Sequence, residues 1–241
     1  MSNSLGTVGA VAVGLVAAYA GVKLVRGKVY DFVIVKMTTE WYREVLDLLA
    51  PKSRVLDVGI GTGMALIHNK ALVESKGIIV DGVDYDKDYI IDCKKNVTRH
   101  NMDSSVQVVH ASVYDYTSEF KYDAVYFSGS LMIMPDPVKA LSHTASLLSP
   151  DGRIYVTQTI QTKKSWATEV AKPLLKFVTT IDFGSVTYEN QLLRAIADAG
   201  LKVLLNKAIS GSSLDAVQSY RLIVLEKSTY TVKLRCTVSA L

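Results

Sequence analysis

Apolar positions along the chain switch repeatedly between a helical and an extended period. From Thr38, Trp41, Val45, Leu46, Leu48 and Leu49 recur at helical spacing until Pro51 stops the run. Arg54–Val58 follows as an apolar stretch with a single acid, the pattern of a buried strand, and a helix-like pattern resumes over about 63–75. The alternation continues with a strand over Gly77–Val83 and a helix from about Asp86 to His100, in which Ile90, Ile91 and Val97 are apolar. Strands over Val106–His110 and Asp123–Phe127 come next, then a helix opened by Pro135-Asp136-Pro137 and running through Leu148. Pro150-Asp151-Gly152 turns into a strand over Arg153–Thr159. Thr162–Asp182 reads as a lysine-bearing helical stretch, and a further helix begins near Ser185 and is capped by Gly200. Leu201–Ile209 and Ser219–Leu225 lie too close for a helical crossover and read as an antiparallel pair. The tail from Thr229 to Val238 alternates like one extra strand. The whole predicts an α/β fold: a doubly wound, Rossmann-like, seven-stranded sheet, mostly parallel with an antiparallel last strand.

Ahead of this domain, Leu5–Val22 is eighteen residues without a charge, followed by Lys23, Arg26 and Lys28. That length predicts an N-terminal hydrophobic helix able to span a membrane. A cleaved signal peptide is the rival, with Ala18-Tyr19-Ala20 as a cleavage-like triplet, but the basic residues lie on the wrong side for one. A buried first helix is the other rival. Positive charges after the span predict a single-pass membrane protein with its folded domain in the cytoplasm, divided as 1–28 for anchor and basic flank and 29–241 for the domain. Gly6, Ala10, Gly14 and Ala18 put small side chains on one face, which suits a homodimer of membrane helices or reflects composition alone.

Composition narrows the partners. Of 241 residues, 49% are hydrophobic, and 27 basic against 23 acidic residues leave a net charge of +4 with no long basic run, so nucleic acid is not indicated. Two cysteines, Cys93 and Cys236, form neither a disulfide framework nor a metal cluster, and no metal site is expected.

The candidate chemistry lies where the first strand ends. Asp57-Val58-Gly59-Ile60-Gly61-Thr62-Gly63 is a strand end, a glycine turn and a helix start, the arrangement that presents backbone N–H groups to a ligand. Asp84 stands at the tip of the next strand, twenty-one residues beyond Gly63, where a carboxylate can accept both hydroxyls of a ribose. A dinucleotide fingerprint would place its third glycine one residue later, and an acid at position 57 suits a ligand with an ammonium group. These residues resemble the first motif, D/E-x-G-x-G-x-G, of the class I S-adenosylmethionine-dependent methyltransferases. Met134–Leu141 and Leu147–Val156 are similar to the branch containing the ubiquinone and menaquinone methyltransferases, and the likeness covers about residues 38–227.

The resemblance implies S-adenosylmethionine as cofactor, held by Asp57, Gly59, Gly61, Gly63, Asp84, Tyr85, Ser112, Val113 and Ser128. Ser112 stands where the family often has an adenine-binding Asp; its hydroxyl, or Asp115, would take that contact. Trp41 and Tyr42, core residues in the plain reading of their helix, can in this family line the cofactor site. No catalytic base is assigned, since methyl transfer from a sulfonium needs positioning more than a base. Of the histidines, His110 lies at the third strand's tip, where a structural role is the plainer reading. The acceptor is expected to be a small or lipid-like molecule met at a membrane surface, because Ser128–Met134 is apolar and methionine-rich and lysines alternate with apolar residues in 162–176. A membrane-protein acceptor, a catalytically silent scaffold and a nicotinamide-dependent Rossmann oxidoreductase are the alternatives.

Overall fold

The computed structural model describes residues 35–162, 187–209 and 211–228. In chain order the strands are β1 (Arg54–Val58), β2 (Ile79–Asp84), β3 (Val106–His110), β4 (Tyr122–Ser128), β5 (Leu148–Gln161), β6 (Leu201–Ala208) and β7 (Gln218–Lys227). The helices are α1 (Lys36–Leu48), α2 (Met64–Ile67), α3 (Lys70–Lys76), α4 (Lys87–Arg99), α5 (Pro137–Leu147) and α6 (Glu189–Asp198). One seven-stranded sheet has the order β3-β2-β1-β4-β5-β7-β6. β1 to β5 are parallel, and β7 runs antiparallel to both neighbours, β5 and β6. The expected mixed sheet with an antiparallel last strand is therefore present.

Two apolar layers sandwich the sheet. α1 to α4 cover one face through Trp41, Tyr42, Val45, Leu46, Leu66, Val73 and Val97. α5 and α6 cover the other through Leu141, Leu147, Leu192 and Ile196. Leu56, Tyr126 and Phe127 lie between them with essentially no exposure, each contributing about 1.5–3 kcal/mol by leaving water. Local chemistry sets the helix ends. Asp86 accepts the Asp88 and Tyr89 N–H groups at the start of α4, and Asp136 accepts from Lys139 N–H at the start of α5, with Pro137 in its first turn. The Lys76 ammonium donates to the carbonyls of Leu46, Asp47 and Leu49, closing the C-terminal end of α1.

Three expectations are corrected. The helix expected over about 63–75 is broken into α2 and α3, because Asn69 turns its amide to the carbonyls of Ala65 and Thr39. The turn at Pro150–Gly152 lies within β5: Leu148 pairs with Tyr122 and Arg153 with Ala124, so Ser149–Gly152 are looped out opposite Asp123. The single-pass membrane localisation, with its cytoplasm-facing domain and N-terminal hydrophobic helix, is not upheld. Among the described residues no helix is long and apolar enough to cross a membrane. Both α1 and α4 have 13 residues, against about 20 for a span. Residues 5–22, with the small-residue stripe proposed for a homodimer, lie outside the described residues, as do the segment 163–186 and the tail 229–241.

Candidate functional site

The strand order reverses between β1 and β4, the point at which doubly wound sheets bind ligands beyond the carboxyl ends of their strands. Here the glycine turn leaves β1, and it demands glycine for two reasons. Gly59, Gly61 and Gly63 have φ of +79, +59 and +71°. A Cβ on Gly59 would lie 2.6 Å from Ser130 Cβ, and one on Gly63 would lie 2.6 Å from Cys93 Sγ. Gly63 thus serves the contact between the turn and α4, while Gly59 lets the β4 tip close on β1, where Ser130 Oγ donates to the Val58 carbonyl.

Four N–H groups of the turn are engaged within the fold. Those of Gly59 and Ile60 bond the Val83 carbonyl, at 2.8 and 3.3 Å, and that of Gly63 bonds the Ile60 carbonyl. Gly61 N–H donates to Asp84 Oδ2 at 3.0 Å, while Asp84 Oδ1 accepts from Asp86 N–H at 2.9 Å. The turn and the β2 tip are therefore stitched together, and Asp84 is fixed with its remaining acceptor capacity at the strand end. Burial raises the Asp84 pKa, opposed by the N–H groups of Asp86 and Gly61.

Asp57 is fully buried on β1. Its Oδ2 accepts the Tyr42 phenol proton at 2.6 Å, whereas Oδ1 has no hydrogen-bond partner. Burial pushes its carboxyl from 3.8 to about 7, the Tyr42 hydrogen bond lowers it, and the charge of Asp84 raises it. A second orphan, Ser128 Oγ, lies on the same face. Asp57 pairs with Tyr126, and Ser128 is two residues further along β4. Tyr42 itself is held edge-on against Tyr126, with ring centroids 4.9 Å apart.

The remaining predicted residues are less concentrated. Tyr85 follows Asp84 but is 79% exposed, and its carbonyl meets His110 Nε2 at 2.8 Å, which gives His110 a role in holding the β2 and β3 tips together. Ala111 N–H donates to the Asp84 carbonyl, bringing the β3 tip to this corner. Ser112 Oγ accepts the Tyr114 N–H at 3.3 Å in a local turn, Asp115 is exposed, and Val113 is buried in the apolar layer under α5 and α6. Met132 and Met134 are partly buried and pack against that same layer. Trp41 is buried against Tyr220 of β7, at 5.8 Å between centroids. Beside Tyr220, a cleft of about 560 Å³ is lined by Gly211, Ser212, Ser213, Ala216, Gln218 and Tyr220. It lies at the carboxyl edge of the parallel strands, because Gln161 at the end of β5 pairs with Gln218 at the start of β7. Among the described residues no group of three or more His, Cys, Asp or Glu is placed to hold a metal ion.

Sequence reasoning had no signal for Ser130, whose role depends on β4 lying beside β1. It noted Tyr42 but not its bond to Asp57, which rests on how α1 crosses the sheet.

Residues 55–152 match the family described as methyltransferase domain. An aklanonic acid methyltransferase of Streptomyces sp. (strain C5) is 31% identical over 134 residues, 54% of this chain and 60% of that protein. A ubiquinone biosynthesis O-methyltransferase of Xanthomonas campestris pv. campestris is 32% identical over 124 residues, 50% of this chain and 48% of that one. The chain thus spans between about half and three-fifths of the length of these relatives. The fold matches a geranyl diphosphate C-methyltransferase from Streptomyces coelicolor, solved with S-adenosyl-L-homocysteine. The TM-score is 0.61 at 16% identity, over 80% of this chain and 79% of that one. The fold is thus of the kind seen in that methyltransferase, and residues 55–152 match a methyltransferase domain.

Proposed function

We propose that this chain transfers the methyl group of S-adenosylmethionine to a small-molecule acceptor. The observation that carries the reading is the pair of carboxylates flanking the glycine turn. The cofactor offers an ammonium and two ribose hydroxyls, all donors, and the site offers acceptors: the orphaned Oδ1 of Asp57 and the anchored carboxylate of Asp84. In this assignment Asp57 receives the ammonium, Asp84 the ribose, and Gly59 and Gly61 permit close approach. Ser128 Oγ, orphaned on the face of Asp57, is a further acceptor for the amino-acid end. The adenine contact falls to the β3 tip through Ser112 and Val113, beside Tyr85.

The cofactor supplies an electrophilic methyl on a sulfonium with a good leaving group. The chain's part is to orient the acceptor and exclude water. The acceptor belongs in the cleft beside Tyr220, where the hydroxyls of Ser212, Ser213 and Tyr220 and the amide of Gln218 suit a molecule with polar substituents. The relatives' names, for aklanonic acid and for ubiquinone biosynthesis, support an acceptor of small-molecule size.

The test is to incubate purified protein and methyl-radiolabelled cofactor with separated soluble-metabolite, lipid and protein fractions of a lysate. Label is expected in the metabolite or lipid fraction. Label confined to the protein fraction would overturn the acceptor class.

A further inference from the structure

α1 does more than cover the sheet. Its Tyr42 is buried, and the phenol reaches Asp57 Oδ2 at 2.6 Å, leaving Oδ1 of the same carboxylate as one of three buried, orphaned side-chain atoms among the described residues. The phenol cannot drift, because α1 is tied along its length. Asn69 Nδ2 donates to the Thr39 carbonyl at 2.9 Å, Lys207 pairs with Glu44 at 2.6 Å, and Lys76 caps the helix end. Trp41 rests on Tyr220, and the Tyr42 ring meets Tyr126 edge-on at 84°.

We propose that Tyr42 is a positioning residue of the cofactor site: its phenol fixes Asp57 through Oδ2 and so aims Oδ1 at the cofactor's ammonium. This rests on the cofactor assignment above. The titratable groups facing Asp57 are Tyr42 from α1, Asp84 from β2, Tyr126 from β4 and Cys93 from α4. Asp84 disfavours a second negative charge. The Tyr42 hydrogen bond favours the carboxylate, and an ammonium at Oδ1 favours it further. The two donors therefore act together on one acid, and ligand binding draws Asp57 into its ionised form.

Calorimetry with two probes, S-adenosylhomocysteine and 5′-methylthioadenosine, between pH 5.5 and 8.5 tests this. The second probe lacks the amino-acid end. Tyr42→Phe keeps the ring against Tyr126 and removes only the donor. At pH 6 the variant is expected to bind S-adenosylhomocysteine about ten-fold more weakly, the counterpart of an upward move of about one pH unit in the midpoint of the binding profile. At pH 8.5 most of that loss is recovered, and methylthioadenosine binds as in the parent at every pH. In an Asp57→Asn background, Tyr42→Phe should no longer move the profile. Equal loss of both probes at all pH values would make Tyr42 a packing residue only and overturn the proposal. So would an unchanged profile in Tyr42→Phe, or a shift that persists without Asp57. Failure of the parent protein to bind either probe would instead remove the cofactor assignment, and the proposal with it.

Discussion

Replacing Asp57 by Asn should make the protein more stable at alkaline pH. The carboxyl is fully buried and its pKa stands at about 7 against an ordinary 3.8. Between these values the folded state binds more protons than the unfolded state, so stability falls as pH rises, the reverse of a salt-bridged acid. At about 1.36 kcal/mol per unit, the stability cost of the shifted Asp57 pKa is about 4 kcal/mol at pH 8. At pH 5, only about one unit above the unfolded pKa, it is between 1 and 2 kcal/mol. Asparagine carries no such cost, and its carbonyl can still accept the Tyr42 proton. Its amide N–H groups need partners, however, and an unmet buried donor takes back about 1–3 kcal/mol at every pH. The absolute change is therefore less informative than its pH dependence. Urea unfolding of both proteins at pH 5 and pH 8, without cofactor, should show the variant gaining about 2–3 kcal/mol relative to the parent between the two conditions. A difference that is the same at both pH values would refute the reasoning. It would mean that Asp57 is ionised throughout and that its second oxygen has found a partner.

Other consequences follow from neighbouring residues. Asp84→Ala should weaken binding of S-adenosylhomocysteine by about 1.5–3 kcal/mol, the range for hydrogen bonds to a charged group, and unchanged affinity by calorimetry would remove the ribose assignment. Gly63→Ala should destabilise the fold by about 2 kcal/mol or more, from the left-handed φ and the 2.6 Å approach to Cys93 Sγ. In a Cys93→Ala background only the backbone part, about 1–2 kcal/mol, should remain, and a double-mutant cycle showing no coupling would contradict this. Burial pushes the Cys93 thiol up to about 12, with Asp57 and Asp84 adding to the rise. In a Cys236→Ser variant it should therefore resist thiol reagents at pH 8 until the protein unfolds, and rapid labelling of the native state would show otherwise.

The parts of the site carried by short-range pattern were legible in the sequence. The strand, the spaced glycines and an acid at the next strand's tip are local, and the periodicity around them was unbroken. What escaped depends on residues distant in the chain. Asn69 interrupts its helix to reach Thr39, thirty residues earlier. Nothing local shows that Val83 and Asp84 lie against the N–H groups of Gly59, Ile60 and Gly61. An uncharged run at residues 5–22 satisfied a length rule for a span, yet length alone does not separate a span from a modestly apolar segment rich in alanine and glycine.

The register of the sheet explains why one helix matters more to the site than the others. Parallel pairing aligns Asp57 with Tyr126 and Ser128 with Thr157, so these side chains rise from a single face. Tyr126 and Thr157 satisfy each other at 2.9 Å, which leaves Asp57 and Ser128 as the polar atoms in need of partners. That face is the one α1 crosses. Across the sheet, the nearest counterpart is the buried Arg221, whose guanidinium is engaged by Glu189, Asn206, Ser219 and the Leu214 carbonyl, and which serves to tie α6, β6 and the β6–β7 loop together. Among the described residues the polar demand on that side is met almost wholly within the fold, with Gln158 Oε1 the exception. On the α1 side it is met only in part, by Tyr42. A change that unseats α1, even at Glu44 or Lys76 and away from Asp57, therefore reaches the acid proposed to receive the ammonium. The same change on α6 would alter stability and the cleft beside Tyr220 while leaving that acid in place.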